Sequence, residues 1–337
     1  MRLKELTELN GVSGYEGKVR DYIINIIKNM GKSYKVDRLG NVIVKNEGRA
    51  PARKLLFCAH MDEVGLVVTR ITPSGYLKFK TAGGVNPNIL VAKTVEIGDD
   101  KILGVIGSKP FHLLKESEAG KEKDLKDFYI DIGANSKEEA MEKIHLGDYI
   151  AFKSSYVEFG SNLVKAKALD DRVGVEIFLS ILEENLDCEF SVAFTVMEES
   201  GLRGARVVAP FVEPDLGIIL EGTISADMHD IKEHEKVTRL RFGPSISIMD
   251  RGTIYDWDEI QKLKKLAKDN GIPYQMRESV MGGTDAAAVH IAKLGCKALG
   301  IAVPCRYIHS PVSVASLDDI ENTRHLLLTF IKHEGGL

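Results

Sequence analysis

The stretch FSVAFTVMEESGLRGA, residues 190–205, places two adjacent glutamates directly after a short apolar run. The run is too apolar for a strand with one exposed face, so we expect a strand that is buried on both faces. Glu198 and Glu199 therefore stand where a central strand ends. Residues 216–220 form a second apolar run, and Glu221 follows it directly. Because functional side chains of open α/β sheets collect at the carboxyl ends of the strands, these glutamates indicate one functional edge.

Strand-like and helix-like segments alternate on both sides of this stretch. Leu55 to Ala59 and Ala298 to Val303 are further apolar runs of strand length. Apolar residues with helical spacing predict helices at 171–184, 257–270, 285–294 and 316–332. This alternation predicts an α/β fold in which helices cover a central sheet.

The pattern changes between residues 68 and 159. Short β-prone pieces recur there, separated by Gly, Pro, Asn and Asp, and a single short helix fits at 136–144. The charged segment 115–126 is predicted to be a mobile loop. The sequence therefore predicts a catalytic domain of residues 1–67 and 160–337, interrupted by a small β-barrel-like domain of residues 68–159.

Composition and charge exclude several classes of protein. The 337 residues carry a net charge of -4 with a pI near 6.2, and no basic stripe is present, so no nucleic-acid partner is expected. No run is long enough to span a membrane, and the N-terminus lacks the apolar region of a signal peptide. The four cysteines have no C-x-x-C spacing, which favours buried, reduced thiols. We therefore expect a cytoplasmic protein with no membrane partner.

Further candidate ligands stand at other predicted strand or helix ends. His60 and Asp62 follow the run at 55–59, and Asp62 could hold the imidazole nitrogen that faces away from a metal. Asp170 precedes a predicted helix, where aspartate is also a common N-cap, and His309 precedes a proline. Each feature alone has a structural explanation. Together with the glutamates, they supply imidazole and carboxylate without thiolate, which suits a pair of Zn²⁺, Co²⁺ or Mn²⁺ ions.

An ordered set of motifs resembles one peptidase family. The motifs are AHMDEVG, KALDDR, EESGLRGA, GGTDAA and RYIHSP, with GVIGSKP and FYIDIGANSKEEA in the insertion. They resemble the clan MH metallo-aminopeptidases that include the tetrahedral and deblocking aminopeptidases and the CelM-like proteins formerly described as endoglucanases. The resemblance covers nearly the whole chain. It implies a three-layer catalytic domain of the zinc-peptidase type with a central mixed sheet, and an insertion that mediates dimerisation and assembly into a tetrahedral dodecamer.

The resemblance also implies a dinuclear metal site. One divalent ion would be bound by His60, Asp170 and Glu221, and the other by Asp170, Glu199 and His309. Zn²⁺ or Co²⁺ is expected, and Mn²⁺ is compatible. Glu198 would be the general base that takes a proton from water and returns it to the leaving amine, and Asp62 would orient His60.

Other positions are implied to shape the substrate site. Gly282, Gly283 and Thr284 resemble the loop beside the substrate, and a cis peptide is expected after Asp170. The chain departs from the family pattern at Glu221, where many relatives have Asp, and at 224–231, which replaces a Gly-Asp-x-Pro-Gly-like turn. The second departure leaves the substrate preference open. Asp227 and His229 in that segment could add ligands, although a polar loop explains them better.

The predicted function is removal of N-terminal residues from short peptides, and three alternatives stay open. A glycoside hydrolase needs two facing carboxylates, which Glu198 and Glu199 could supply, but His60 and His309 would then have no role. The chain also has a single Trp, which provides little aromatic surface for stacking on sugar rings. A two-metal deacylase or carboxypeptidase would use similar ligands. A non-catalytic scaffold of the same fold is disfavoured by the presence of Glu198.

Overall fold

The computed structural model describes residues 1–113 and 123–336. The strands are β1 Tyr34–Val36, β2 Val42–Asn46, β3 Leu55–His60, β4 Gly65–Ile71, β5 Leu77–Ala82, β6 Thr94–Ile97, β7 Ile102–Ser108, β8 Phe128–Asp131, β9 Tyr149–Phe152, β10 Val157–Phe159, β11 Leu163–Ala166, β12 Phe190–Thr195, β13 Leu216–Ile224, β14 Ser245–Ile246, β15 Gln275–Met276, β16 Lys297–Arg306 and β17 Ser313–Ser316. The helices are α1 Leu3–Glu8, α2 Gly17–Asn29, α3 Lys137–Met141, α4 Leu169–Glu183, α5 Arg203–Val212, α6 Trp257–Asp269, α7 Ala286–Val289 and α8 Leu317–Glu334.

The central sheet is mixed and contains eleven strands. Its order is β1-β2-β12-β3-β13-β16-β17-β11-β10, with β14 and β15 attached beside β16. The inner strands β12, β3, β13 and β16 are parallel to one another, and the outer pairs are antiparallel. All six residues of β3 are buried, because α4 and α8 pack on one side of the sheet while α5 and α7 pack together against β12 and β13. The predicted α/β fold with a helix-covered mixed sheet is confirmed.

The insertion contains a closed six-stranded antiparallel barrel, as the β-rich pattern predicted. The barrel order is β4-β5-β8-β7-β6-β9, and its own apolar core includes Leu66, Phe79, Phe128 and Ile150. The barrel strands run from Gly65 to Phe152, and the domain limits at 68 and 159 stay predictions. Residues 115–122 of the predicted mobile loop lie outside the described residues.

One predicted helix is much shorter than expected. The spacing predicted a helix over 285–294, but α7 ends at Val289. The ring nitrogen Nδ1 of His290 lies 2.8 Å from the carbonyl oxygen of Ala286, and the backbone then turns at Lys293 and Gly295, which both have positive φ. Leu294 completes the apolar spacing of the predicted helix, but its side chain is fully exposed. The spacing therefore indicated a longer helix and did not reveal this turn. Helices α4, α6 and α8 agree with their predicted bounds to within about two residues, and α3 ends at Met141, three residues before the predicted end at 144.

A buried ion cluster ties the start of β3 to two helices. The Arg53 guanidinium donates to both carboxylate oxygens of Glu259 at 2.6 and 2.7 Å, and to both of Glu334 at 2.8 and 2.9 Å. Lys262 lies 3.2 Å from each glutamate. Burial alone would raise the pKa of each carboxyl, but the bonds from Arg53 outweigh burial, so the pKa of Glu259 and of Glu334 is lowered.

Replacing Arg53 by Met is therefore expected to lower the free energy of unfolding at pH 7 by about 3–5 kcal/mol, because two almost buried carboxylates lose their main partner. A lowered folded-state pKa gives stability that is present above the unfolded value of 4.5 and is lost as the pH falls through the folded value. The deficit of the variant should thus shrink in acid below that pH. Urea unfolding at several pH values measures both effects.

The matched control is Arg49→Met, since Arg49 pairs with Asp187 at 3.3 Å on the exposed surface. This control should change the free energy of unfolding by less than about 1 kcal/mol. Equal losses of unfolding free energy in the two variants would show that the buried cluster contributes no more to stability than the exposed pair of Arg49 and Asp187.

Candidate metal centre

The predicted ligands from the central sheet meet at one edge of it. His60 ends β3, Glu198 and Glu199 follow β12, Glu221 lies in β13, and His309 follows β16. These four strands are adjacent and parallel, so their carboxyl ends lie side by side. The local sequence produces this placement, because each residue comes at or just after a strand that is buried on both faces.

Asp170 lies between the two histidines. Its Oδ1 is 3.4 Å from Nε2 of His60, and its Oδ2 is 3.4 Å from Nε2 of His309. The His309 nitrogen is also 3.1 Å from Oε1 of Glu199. A Cβ at Gly222 would lie 2.8 Å from the Asp170 Cβ, so glycine permits this close approach, and the Gly222 amide donates to Oδ1 at 3.0 Å. The Asp170 carboxylate thus directs one oxygen toward each imidazole. A carboxylate that bridges two cations would have the same arrangement.

The peptide bond between Asp170 and Asp171 is cis, as the resemblance implied. Asp171 itself is buried and faces away from the cavity. Its carboxylate accepts from the His60 amide at 3.2 Å and from the Gly174 amide at 3.0 Å. Asp171 therefore ties the start of α4 to the end of β3.

Two groups of residues in the described part of the chain bring possible ligand atoms within 4.8 Å of one another. One group is Asp170, Glu199 and His309, and the other is His60, Glu198 and Glu199. The first group is the trio predicted for one ion. Glu221, predicted with His60 and Asp170 for the other ion, lines the same cavity but joins neither group, and its Oε1 accepts from the Asp285 amide at 3.1 Å.

The acidic side chains of the site lack basic partners other than histidine. Across residues 1–113 and 123–336, no Lys or Arg forms an ion pair with Glu198, Glu199 or Glu221. Burial raises the pKa of Glu198 and of Glu221 well above the ordinary value, and the repulsion between these two glutamates adds to the shift of Glu221. Buried carboxylates that repel one another are stabilised by a cation. The donor set and its charge therefore fit divalent metal ions.

Neighbouring carboxylates raise the pKa of both histidines. Burial would lower the pKa of His309, but Asp170 and Glu199 outweigh burial and raise the pKa to about 11. Asp170 and Asp62 likewise raise the pKa of His60 against burial. The same carboxylates that favour a proton on each imidazole would favour a metal cation in its place.

Asp62 has a wider role than the sequence predicted. Its backbone carbonyl, 3.1 Å from Nδ1 of His60, is nearer to that nitrogen than its carboxylate, at 3.5 Å. The carbonyl can only accept, so Nδ1 carries the hydrogen and Nε2 is left for a metal. The Asp62 carboxylate instead accepts from the amides of Glu198 at 3.0 Å and of Glu199 at 3.1 Å. Asp62 thus joins His60 to the segment that holds the two glutamates.

The polar loop at 224–231 adds no ligand to the centre. Asp227 accepts two hydrogen bonds from Arg306, at 2.6 and 2.8 Å, and His229 is exposed beside Asp230. Neither joins the groups described above.

A cavity of about 640 Å³ opens over the centre. The loop of Gly282, Gly283 and Thr284 lines it, together with Asp170, Glu198, Glu199, Glu221 and His309. The loop that the sequence interpretation assigned to the substrate therefore lines the same cavity as the predicted ligands. That interpretation missed Arg251 and Arg277, which also line the cavity, because no motif marks an arginine as part of a pocket.

The sequence patterns also give no role to Asp285, although it lies within the GGTDAA motif. Asp285 is buried, donates its amide to Glu221, and accepts from the Thr195 hydroxyl at 2.6 Å. Because it directly precedes α7, its sequence context was that of an ordinary helix cap.

Comparison with known proteins identifies the family. The model of the M42 glutamyl aminopeptidase family matches residues 40–326. The chain belongs to this family. The lysyl aminopeptidase of Pyrococcus furiosus is 33% identical to it over 95% of the chain and 93% of the relative. The glutamyl aminopeptidase of Lactococcus lactis is 30% identical over 98% and 95%. The M42 chain is therefore an aminopeptidase by family, and its His and carboxylate groups suit the metal on which M42 peptidases depend.

Solved structures agree with this assignment. An aminopeptidase from Desulfurococcus kamchatkensis has a TM-score of 0.92 and 37% identity, covering 98% of this chain and 93% of that one. The TET1 peptidase of Pyrococcus horikoshii, which can assemble into a tetrahedron or an octahedral shell, has a TM-score of 0.86 and 35% identity over 98% of both chains. A Thermotoga maritima protein named endoglucanase has a TM-score of 0.83 and 35% identity over 99% and 98%. No helix in the described parts of the M42 chain is long and apolar enough to cross a membrane.

Proposed function

We propose that this M42 chain is a dinuclear metal-dependent aminopeptidase that removes single residues from the free N-terminus of short peptides. The observation that carries the proposal is the position of Asp170, with one oxygen 3.4 Å from His60 and the other 3.4 Å from His309. In this proposal His60, Asp170 and Glu221 hold one ion, and Asp170, Glu199 and His309 hold the other. Zn²⁺ or Co²⁺ is expected, and Mn²⁺ is compatible with the same ligands.

Glu198 is the proposed general base. Glu199 faces His309, and Glu221 accepts from the Asp285 amide, but the Glu198 carboxylate has no hydrogen bond to any described residue. Glu198 is thus free to take a proton from water and to deliver it to the leaving amine nitrogen. When bound, the metal ions supply Lewis-acid polarisation of the scissile carbonyl and lower the pKa of water. The Asp62 carboxylate holds the Glu198 amide and so fixes where this base stands.

The centre favours a substrate with a free α-amine. Glu198, which is not a proposed ligand, lies on the cavity surface with the proposed ligands Glu199 and Glu221, and a metal ion held there could accept the lone pair of a neutral α-amine. The amide nitrogen of an N-acylated substrate has no such lone pair to offer. This difference supports an aminopeptidase over a deacylase of the same superfamily.

Two arginines of the cavity lining support a preference for an acidic N-terminal residue. Arg277 donates to the Thr223 hydroxyl at 3.1 Å and also to the Met281 carbonyl, which fixes its guanidinium in the wall. The backbone of Arg251 donates to the Gly282 carbonyl at 2.9 Å, and its side chain has no ion pair among the described residues. Apart from the proposed metal ligands and Glu198, the cavity lining has no acidic residue that would neutralise these arginines. A substrate Asp or Glu side chain would supply that charge.

The function is tested with chelated enzyme reloaded with Zn²⁺, Co²⁺ or Mn²⁺. The substrates are aminoacyl p-nitroanilides, their N-acetylated counterparts, and carboxymethylcellulose. We expect the enzyme to cleave only the free aminoacyl substrates. Chelation should abolish this activity, and reloading with metal should restore it. Faster cleavage of the acetylated substrates would favour a deacylase, and cleavage of the cellulose would favour a glycosidase. No cleavage of any substrate by enzyme with two bound metals would favour a scaffold.

Replacing Arg251 by Gln is expected to lower kcat/KM for a glutamyl substrate by about 10- to 100-fold, because a charge-assisted bond contributes about 1.5–3 kcal/mol. The value for a leucyl substrate should change far less. Arg206→Gln, at an exposed position on α5 outside the cavity lining, is the control and should change neither value. Equal losses on both substrates would contradict the proposed preference.

We further propose that the barrel mediates self-association into a tetrahedral dodecamer in the cytoplasm. Support comes from the TET1 peptidase of P. horikoshii, which matches this chain along 98% of its length and can form a tetrahedral assembly. Light scattering of the purified protein at near-physiological salt measures the number of subunits directly.

A further inference from the structure

A turn of the barrel reaches the metal centre. Gly83 and Gly84 directly follow β5, a barrel strand, and the Gly84 carbonyl oxygen lies 3.1 Å from Nδ1 of His309. Because a carbonyl can only accept, Nδ1 carries the hydrogen, and Nε2 is directed to Asp170 and Glu199. The bond that orients this imidazole therefore comes from the barrel.

The other histidine is held differently. Nδ1 of His60 faces the Asp62 carbonyl, which belongs to the same sheet edge as His60. The His60 side chain is 1% exposed, whereas that of His309 is 39% exposed. The surrounding core thus fixes His60, while the more exposed His309 depends more on the hydrogen bond from its Nδ1 to the turn.

The same turn packs against a second proposed ligand of the same ion. Gly83 has a φ of +89°, and a Cβ there would lie 2.9 Å from the Val64 side chain and 3.1 Å from the Cβ of Glu199. A Cβ at Gly84 would lie 3.3 Å from Nδ1 of His309. The contact at 2.9 Å is shorter than real Cβ atoms make, and those at 3.1 and 3.3 Å are tighter than most, so the glycines let the turn lie directly on Glu199 and His309.

We infer that the Gly83–Gly84 turn is a positioning element for the ion proposed to be bound by Asp170, Glu199 and His309. The inference rests on the proposed dinuclear function. The turn holds one ligand through a hydrogen bond and limits the other by contact, and among the described residues it forms no hydrogen bond with His60 or Glu221. Groups that orient metal ligands commonly change metal affinity by about 10- to 100-fold when they are altered. A change in the turn should therefore weaken one of the two ions and leave the other in place.

The test is a Co²⁺ titration of the metal-free full-length protein by equilibrium dialysis, with visible absorption recorded at each step. The native protein is expected to bind two Co²⁺ per subunit. Gly83→Ala should bind the first at native affinity and the second at least about tenfold more weakly, with the absorption change confined to the second step. Gly147→Ala is the matched control, because Gly147 also has a positive φ, of +94°, but no atom within 4 Å of an added Cβ. It should bind both ions as the native protein does.

The outcomes separate the inference from the function on which it rests. If the native protein binds fewer than two Co²⁺, the dinuclear function is wrong and the inference goes with it. If the native protein binds two and Gly83→Ala binds both with native affinity, or loses affinity equally for both, only the inference is wrong. Should Gly83→Ala not fold, Gly84→Ala decides in the same titration, since Gly84 lacks a positive φ and its added Cβ would press on His309 alone.

Discussion

Replacing Glu198 by Gln is expected to lower kcat by about 10²- to 10⁴-fold while both metal ions stay bound. Glutamine has nearly the same shape as glutamate but cannot take a proton from water. The Glu198 carboxylate makes no hydrogen bond to a described residue, so its replacement should leave the surrounding fold intact. The measurements are kcat on a free aminoacyl substrate and the metal content of the same preparation after dialysis.

The metal content decides between two roles for Glu198. Its carboxylate lies within 4.8 Å of ligand atoms of His60 and Glu199, so it could itself bind a metal. If Gln at this position removes an ion, Glu198 is a ligand and the proposed base is wrong. A kcat within about threefold of the native value, far short of the loss expected for a general base, would also contradict the proposal. Glu278→Gln, at an exposed position outside the cavity lining, is the control and should change neither quantity.

Much of the centre could be predicted because its ligands are tied to local sequence patterns. Strands β3, β12 and β13 are buried along most of their length, so each appears in the sequence as a mainly apolar run. A polar residue at the end of such a run is conspicuous, and parallel strands bring their ends together. This pattern marks His60, Glu199 and Glu221 as candidate ligands.

The contacts that orient those ligands could not be predicted from local patterns. Gly84 comes from the barrel and meets His309 across 225 positions of sequence. Arg251 and Arg277 reach the cavity from separate loops that carry no motif. Their positions depend on how the barrel and the loops pack on the sheet, and apolar spacing contains no information on that packing. For the same reason, the sequence could suggest a bond between His60 and Asp62 but not the bonds from Asp62 to the amides of Glu198 and Glu199.

Replacing Asp170 by Asn is expected to abolish measurable turnover and to weaken the binding of both ions by at least about 100-fold, the upper range for changes that only orient a ligand. Asparagine keeps one acceptor oxygen but replaces the other with an amide that donates, so it cannot face both histidines as an acceptor. It also removes a negative charge from between the two imidazoles. Metal analysis after dialysis, together with kcat, measures both effects.

The control for this variant is Asp227→Asn. Asp227 also stands near the end of a central strand, and its sequence suggested a further ligand, but its carboxylate is bound to Arg306. The control should keep two ions and lose only some stability. Retention of two tightly bound ions by Asp170→Asn would show that no shared carboxylate is needed, and the dinuclear centre would then have to be built on Glu199, Glu221 and the two histidines. Loss of both ions in this variant, but of one ion in Gly83→Ala, would place Asp170 between the two ions and the barrel turn beside only one of them.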